Sequence, residues 1–170
     1  YRDRTAVYFG DRPMPLLKGA TARLVGRNVV ADEQNAVFYN QNNSVTLVGP
    51  VIGSGTFVKE GANTLFLGNA GIVATTASTY SGGLILQQGT LQANSGQQLD
   101  ANGTIVNSQF GSGDITLAGG ALNIRVEGFN NATNRVYSFT NPNVNVVGNT
   151  TISVDRVDAS GGSVKTIAFN

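Results

Sequence analysis

The fold is decided by one stretch, Gly53-Ser54-Gly55-Thr56-Phe57-Val58-Lys59-Glu60-Gly61-Ala62-Asn63-Thr64-Leu65-Phe66-Leu67. It continues at Tyr80-Ser81-Gly82-Gly83-Leu84-Ile85-Leu86-Gln87-Gln88-Gly89-Thr90-Leu91-Gln92-Ala93. Short apolar runs are cut at intervals by glycine and small polar residues. Leu65 and Leu67 alternate with Thr64 and Phe66, and Leu84 and Leu86 flank Ile85. Period-two alternation marks strands with one buried face. The glycines supply backbone angles that tight corners need.

Outward from this stretch the pattern persists. Thr5 to Phe9, Ala36 to Tyr39, Val45 to Val48, Ile115 to Leu117, Ala121 to Glu127, Val136 to Thr140, Val144 to Val147 and Thr151 to Val154 all read as strands. In Ala121–Glu127 the expected inward residues are Leu122, Ile124 and Val126. Arg12-Pro13-Met14-Pro15 reads as a break, because each proline removes a ladder donor. A single helical turn is conceivable at Ala31–Ala36, too short to stand alone in water.

Similar corners recur. Asn63-Thr64-Leu65, Gly89-Thr90-Leu91 and Gly120-Ala121-Leu122 look like one corner used three times, and Gly111-Ser112-Gly113-Asp114 echoes Gly53-Ser54-Gly55-Thr56. Their spacing of roughly twenty to thirty residues lies in the range of repeat architectures. The fold expected is all-β, a right-handed parallel β-helix, with a β-sandwich as the runner-up. Residues 1–50 form an irregular N-terminal β segment or first coils, and 51–170 the glycine-punctuated coils.

Composition narrows the function classes. The chain has 170 residues, enough for one domain with a sizeable core. Its net charge of +1 argues against a nucleic-acid binder relying on a broad basic field. Arg2, Arg4, Arg12, Lys18, Arg23 and Arg27 make the N-terminal quarter locally basic, read as a solvated, partly acid-paired face. Having no histidine, the chain lacks the commonest general base and zinc ligand; having no cysteine, it lacks disulfides and thiolate metal sites. No apolar run is long enough to span a bilayer as a helix. The chain opens on Tyr1-Arg2-Asp3 and stops at Ile167-Ala168-Phe169-Asn170 within a strand-like run, so a piece of something longer is expected.

The opening stretch resembles the autotransporter-associated β-strand repeat of bacterial passenger regions. The family form has Gly-x-Gly, an apolar residue before a Lys, a Gly, Thr-Leu-x-Leu, then an Asn-Thr-Tyr-x-Gly-Gly-Thr segment and Gly-Thr-Leu. Here these fall on Gly53–Gly55, Val58-Lys59, Gly61, Thr64–Leu67, Thr79–Gly83 and Gly89–Leu91. Ser78 stands where Asn is common, Leu84 replaces the Thr, and Ala70–Ala77 is an insertion. The match covers about a quarter of the chain; Asn143–Asp155 looks like a segment that often accompanies such repeats. The resemblance implies a right-handed β-helix, export, and a place at the cell surface or outside the cell. It implies no activity.

The resulting expectation is a structural segment, a stalk or adhesin passenger, of a secreted or surface-displayed bacterial protein, without catalysis or cofactor. Its partners would be neighbouring coils, other copies of itself, or host or matrix glycans. A self-assembling extracellular fibre subunit and a carbohydrate-active β-helix enzyme are the alternatives. At about 4.8 Å per coil, roughly seven coils would make a rod about 35 Å long. Both ends of such a rod would present unpaired edges, and the apolar tail Val164–Phe169 suggests no cap at the C-terminal one.

Glycoside hydrolysis needs two acids at defined separation; Asp155 with Asp158, and Asp32 with Glu33, are the close pairs. Gly111-Ser112-Gly113-Asp114 is one weak echo of a calcium-binding repeat and reads better as a glycine corner. Asn42, Asn102, Asn131 and Asn149 begin Asn-x-Ser/Thr triplets, frequent by chance in so Asn-rich a chain. Tyr80 is a candidate sugar-stacking aromatic, or a corner tyrosine packed across glycines.

Overall fold

A computed structural model describes residues 5–9, 12–15, 23–24, 29–31, 36–40, 44–47, 50–68, 78–95, 109–126, 135–139, 143–156 and 165–169. Among them every regular element is a strand and none is a helix. Between Phe57 and Val126 successive described strands alternate between two sheets.

The first sheet contains β1 (Thr5–Phe9), β2 (Arg12–Pro15), β5 (Ala36–Asn40), β8 (Phe57–Glu60), β10 (Leu84–Leu86), β12 (Ile115–Leu117) and β15 (Val144–Val146). Its order is β15-β12-β10-β8-β5-β1-β2. The second holds β3 (Arg23–Leu24), β6 (Val45–Leu47), β9 (Thr64–Leu67), β11 (Thr90–Ser95), β13 (Gly120–Val126) and β16 (Thr150–Arg156), in the order β16-β13-β11-β9-β6-β3. Two smaller parallel pairs join β4 (Val29–Ala31) to β7 (Val51–Gly53), and β14 (Arg135–Phe139) to β17 (Lys165–Phe169).

From β5 to β15, and throughout the second sheet, neighbours are parallel and in register. A β-sandwich is built from antiparallel sheets, so the runner-up fails. Parallel neighbours place equivalent side chains on one face, and the apolar residues therefore form columns. Leu65, Leu91, Leu122 and Ile152 are successive partners, as are Leu67, Ala93, Ile124 and Val154. All but the last member of each column are buried in the core. Each fully buried Leu contributes about 1.5–3 kcal/mol before entropy is counted.

The recurring corners stack as well. Thr64, Thr90 and Ala121 are successive partners, so the three similar corners occupy one edge of the molecule. Gly89 has φ of +74°, and a Cβ there would collide with the carbonyl of Gly61 one level away. Only glycine satisfies both demands. At the other corner, Gly82 lies so close to Gly55 that a Cβ would meet its carbonyl carbon at 2.5 Å. Gly113 sits in the same way against Ser81 and Gly83, which explains the echo between Gly53–Thr56 and Gly111–Asp114.

One expectation needs correcting. Arg12–Pro15 is a strand and not a break: β2 pairs antiparallel with β1, and β1 antiparallel with β5. Proline fits because β2 is the outermost strand, with one side free of ladder partners among the described strands. The first residues thus close the first sheet instead of adding a coil. The longest parallel ladder has six strands where seven coils were expected. Most of the helical turn expected at Ala31–Ala36 and the insertion Ala70–Ala77 lie outside the described residues.

Candidate functional site

The sequence candidates are not brought together. Asp155 lies exposed on β16, register partner of Arg125 on β13. Asp158, Asp32 and Glu33 fall outside the described residues, so neither acid pair is assembled within them. Asp114 is exposed and accepts a hydrogen bond from Asn143 Nδ2 at 3.0 Å. It therefore ties one level to the next, as expected of a glycine corner with a polar side chain. Among the described residues no group of three or more acid, His or Cys side chains comes together.

Asn149 is exposed; Asn42, Asn102 and Asn131 lie outside the described residues. Of the basic residues, Arg12 and Arg23 stand on β2 and β3, and Arg2, Arg4, Lys18 and Arg27 lie outside.

Tyr80 is fully buried, so its ring offers no face to a sugar. It packs 5.8 Å from the Phe57 ring and against Gly111 of the following level. The corner-tyrosine reading stands, with a different glycine beneath the ring. Its hydroxyl is buried without a hydrogen-bond partner among the described residues. Burial drives its ionisation far above the ordinary range, so Tyr80 stays neutral.

Lys59 was legible only as a letter in the repeat pattern. It occupies a core column, register partner of Phe38 on one side and Leu86 on the other, and is fully buried. Its ammonium donates to the carbonyls of Glu60 at 2.6 Å, Gly61 at 2.7 Å and Gln88 at 3.0 Å. Three donors meet three acceptors, and the aliphatic stem fills the core position that a Leu fills one level on. Gln88 belongs to that next level, so the cation ties successive corners together. Burial pulls the ammonium down to about 8, opposed by the Glu60 carboxylate. A lysine held by three main-chain carbonyls is a structural clamp, with no acidic or nucleophilic partner in its hydrogen-bond set.

The remaining chemistry is at the C-terminal level. Val146, Ile152 and Val154 are 59, 49 and 50 % exposed, although their partners Leu117, Leu122 and Ile124 are buried. They have a core residue's placement and a surface residue's exposure. With this geometry in view, the comparisons add no relative: no family model, no curated protein and no solved structure matches the chain.

Proposed function

We propose that the two ladders are faces of a right-handed parallel β-helix whose turns are the stacked levels, and that the chain is a stalk or adhesin-passenger segment of a secreted or surface-displayed bacterial protein, without catalysis. The observation that carries this reading is the in-register stacking of corner on corner and column on column. Cross-level hydrogen bonds recur between residues 24 to 29 apart in the chain, as in Asn40 to Thr64, Lys59 to Gln88 and Asn143 to Asp114. Nearly all parallel crossovers within one sheet are right-handed, which supplies the hand. Six parallel strands at about 4.8 Å make a ladder about 24 Å long.

The resemblance of Gly53–Leu91 to the autotransporter-associated repeat supports export and surface display. The structure gives that motif a physical content: its glycines are corners, its Thr-Leu-x-Leu is a core strand, and its Lys is a clamp. Core columns filled by Leu, Ile and Phe suit a scaffold whose work is reach and rigidity. Head-to-tail fibre growth is less well supported, because the proline-bearing β2 closes one end of the first sheet.

Antibody raised against this chain provides the test, applied to intact and lysed cells of the source bacterium with and without added protease. Labelling of intact cells or of the medium, lost on proteolysis, is the expected result. Signal that appears only after lysis and survives external protease would overturn the surface assignment.

A further inference from the structure

We propose that Lys59 and one surplus corner residue form a matched unit that fixes the register of the level on which they lie. The inference rests on the observed strand register and hydrogen bonds, and is independent of the surface-display reading.

Strand register sets the length of each corner between the two sheets. Phe38, Lys59, Leu86, Leu117 and Val146 are successive partners in the first sheet. Val45, Leu65, Leu91, Leu122 and Ile152 are their counterparts in the second. Between them lie residues 39–44, 60–64, 87–90, 118–121 and 147–151, so the corners hold six, five, four, four and five residues. Where a corner stacks on a shorter one, two residues oppose one. The surplus residue has no ladder partner, as in a β-bulge. Its buried carbonyl then needs a donor from elsewhere.

The buried side-chain donors stand at these mismatches. Six residues meet five between the levels of Phe38 and Lys59; there Asn40, fully buried, donates Nδ2 to the Thr64 carbonyl at 2.9 Å. Five meet four between the levels of Lys59 and Leu86, where the Lys59 ammonium bridges the carbonyls of Glu60, Gly61 and Gln88. Four meet four between the levels of Leu86 and Leu117. Both inward positions there are leucine, and main-chain donors serve: Ala118 and Gly119 donate to the Leu86 carbonyl, and Ala121 to that of Gly89 at 2.8 Å. Four meet five at the level of Val146, where Val147 and Asn149 of the longer corner are exposed and water can act as donor.

A matched donor does what an apolar column cannot. Side chains alternate with period two, so a slip of two residues leaves every apolar residue on its own face. The Lys59 ammonium cannot follow such a slip, because its third acceptor, Gln88, belongs to the next level. Fixing register is the best-attested use of a buried polar or charged group. Lys59 therefore acts together with the fifth residue of its corner, and its worth depends on that residue being there.

A double-mutant cycle read by urea unfolding tests the unit. In one chain residues 60–63 are replaced by Ala-Gly-Gly, the order found at 118–120, which shortens the corner to the length used beside Leu117. Lys59→Leu is then made both in this chain and in the parent. We expect Lys59→Leu to lower the unfolding midpoint in the parent and to raise it in the shortened chain, where no surplus carbonyl is left for the ammonium. A lower midpoint in both would overturn the proposal, since Lys59 would then act without regard to corner length. An unchanged midpoint in the parent would overturn it as well. Should the shortened chain fail to fold, the reciprocal exchange decides. With Glu-Gly-Ala-Asn in place of residues 87–89, Leu86→Lys should lower the midpoint less than it does in the parent; an equal or greater drop would count against the unit. Corners that could be exchanged in neither direction would refute it too, because length would not be what the lysine answers to.

Discussion

The column that runs through Phe38, Lys59, Leu86, Leu117 and Val146 is arranged against the usual expectation. Near its N-terminal end it buries a cation completely, and at its C-terminal end it exposes a valine to 59 %. The two ends differ in what lies next to them. At the N-terminal end, antiparallel β1 and β2 close the sheet, and Asn40 donates its side-chain amide to the Thr64 carbonyl at 2.9 Å. At the C-terminal end no described strand covers β15 or β16. Side-chain type thus follows hydrogen-bond supply: a charge is tolerated where carbonyls converge on it, while core residues stand exposed where no described strand lies over them.

The most drastic way to break this contrast is to remove the closing hairpin. A chain lacking residues 1–16 would present open edges at both ends of the first sheet. We expect such a chain to associate more strongly than the intact one, through the edge of β5 left bare, as seen by light scattering and electron microscopy. If it kept the assembly state of the intact chain, β2 would not be what protects that end.

The next test compares one column with itself. Leu122 and Ile152 are register partners, the first buried and the second half exposed. Leu122→Ala should cost about 2–5 kcal/mol, as buried large-to-small changes do. Ile152→Ala, at the uncovered level, should cost less than about 1 kcal/mol. Urea unfolding of both variants measures the difference, and equal losses would mean that the last level is covered in solution.

Much of this architecture can be read from residue order alone, because it depends on local alternation. Leu65 and Leu67, Leu84 and Leu86, and Leu91 and Ala93 point inward as period two requires. The echo of Gly-Ser-Gly at 53 and 111 marks a shared corner, where Gly82 packs on Gly55 and Gly113 packs on Ser81 and Gly83. Strand direction is different. Whether Arg12–Pro15 breaks the chain or borders a sheet depends on which side its prolines face, and that is set by β1 lying antiparallel on β5. Lys59 was opaque for a related reason. Lysine is ordinarily exposed, and only the carbonyls of Gly61 and Gln88, brought together by stacking, make a buried site for it. The candidate acids carried no positional signal, since spacing along a strand does not say which level lies opposite.

Lys59 gives the comparison a dependence on pH. Its folded value of about 8 lies below its ordinary 10.5, so the unfolded chain binds this proton more tightly. Below pH 8 the full cost of the buried charge is present; as pH rises from 8 to 10.5 the cost is relieved, and this group's contribution to stability increases. Lys59→Met should abolish that rise. It should also lower stability at neutral pH by about 1–3 kcal/mol, because three buried carbonyls lose their donor. The measurement is the difference between parent and variant unfolding free energies at each end of the window, which cancels the other titrating groups. A constant difference would mean that the ammonium stays charged throughout, held by its three carbonyls.

Tyr80 offers the smallest and most pointed change, because it separates the role of a ring from that of its hydroxyl. The ring is fully buried between Phe57 and Gly111, and the hydroxyl has no described partner. Leaving a buried hydroxyl unpaired costs about 1–3 kcal/mol, whereas Phe keeps the ring and its contact at 5.8 Å. Phe is also what the C-terminal half uses: Phe110, Phe139 and Phe169 stack ring on ring at 5.0 and 5.3 Å. Tyr80→Phe should therefore stabilise the chain by about 1 kcal/mol and raise its melting temperature by a few degrees. A loss of stability would show that the hydroxyl is satisfied in solution. Tyr80 would then resemble Lys59, as a polar group held within a core column by what surrounds it.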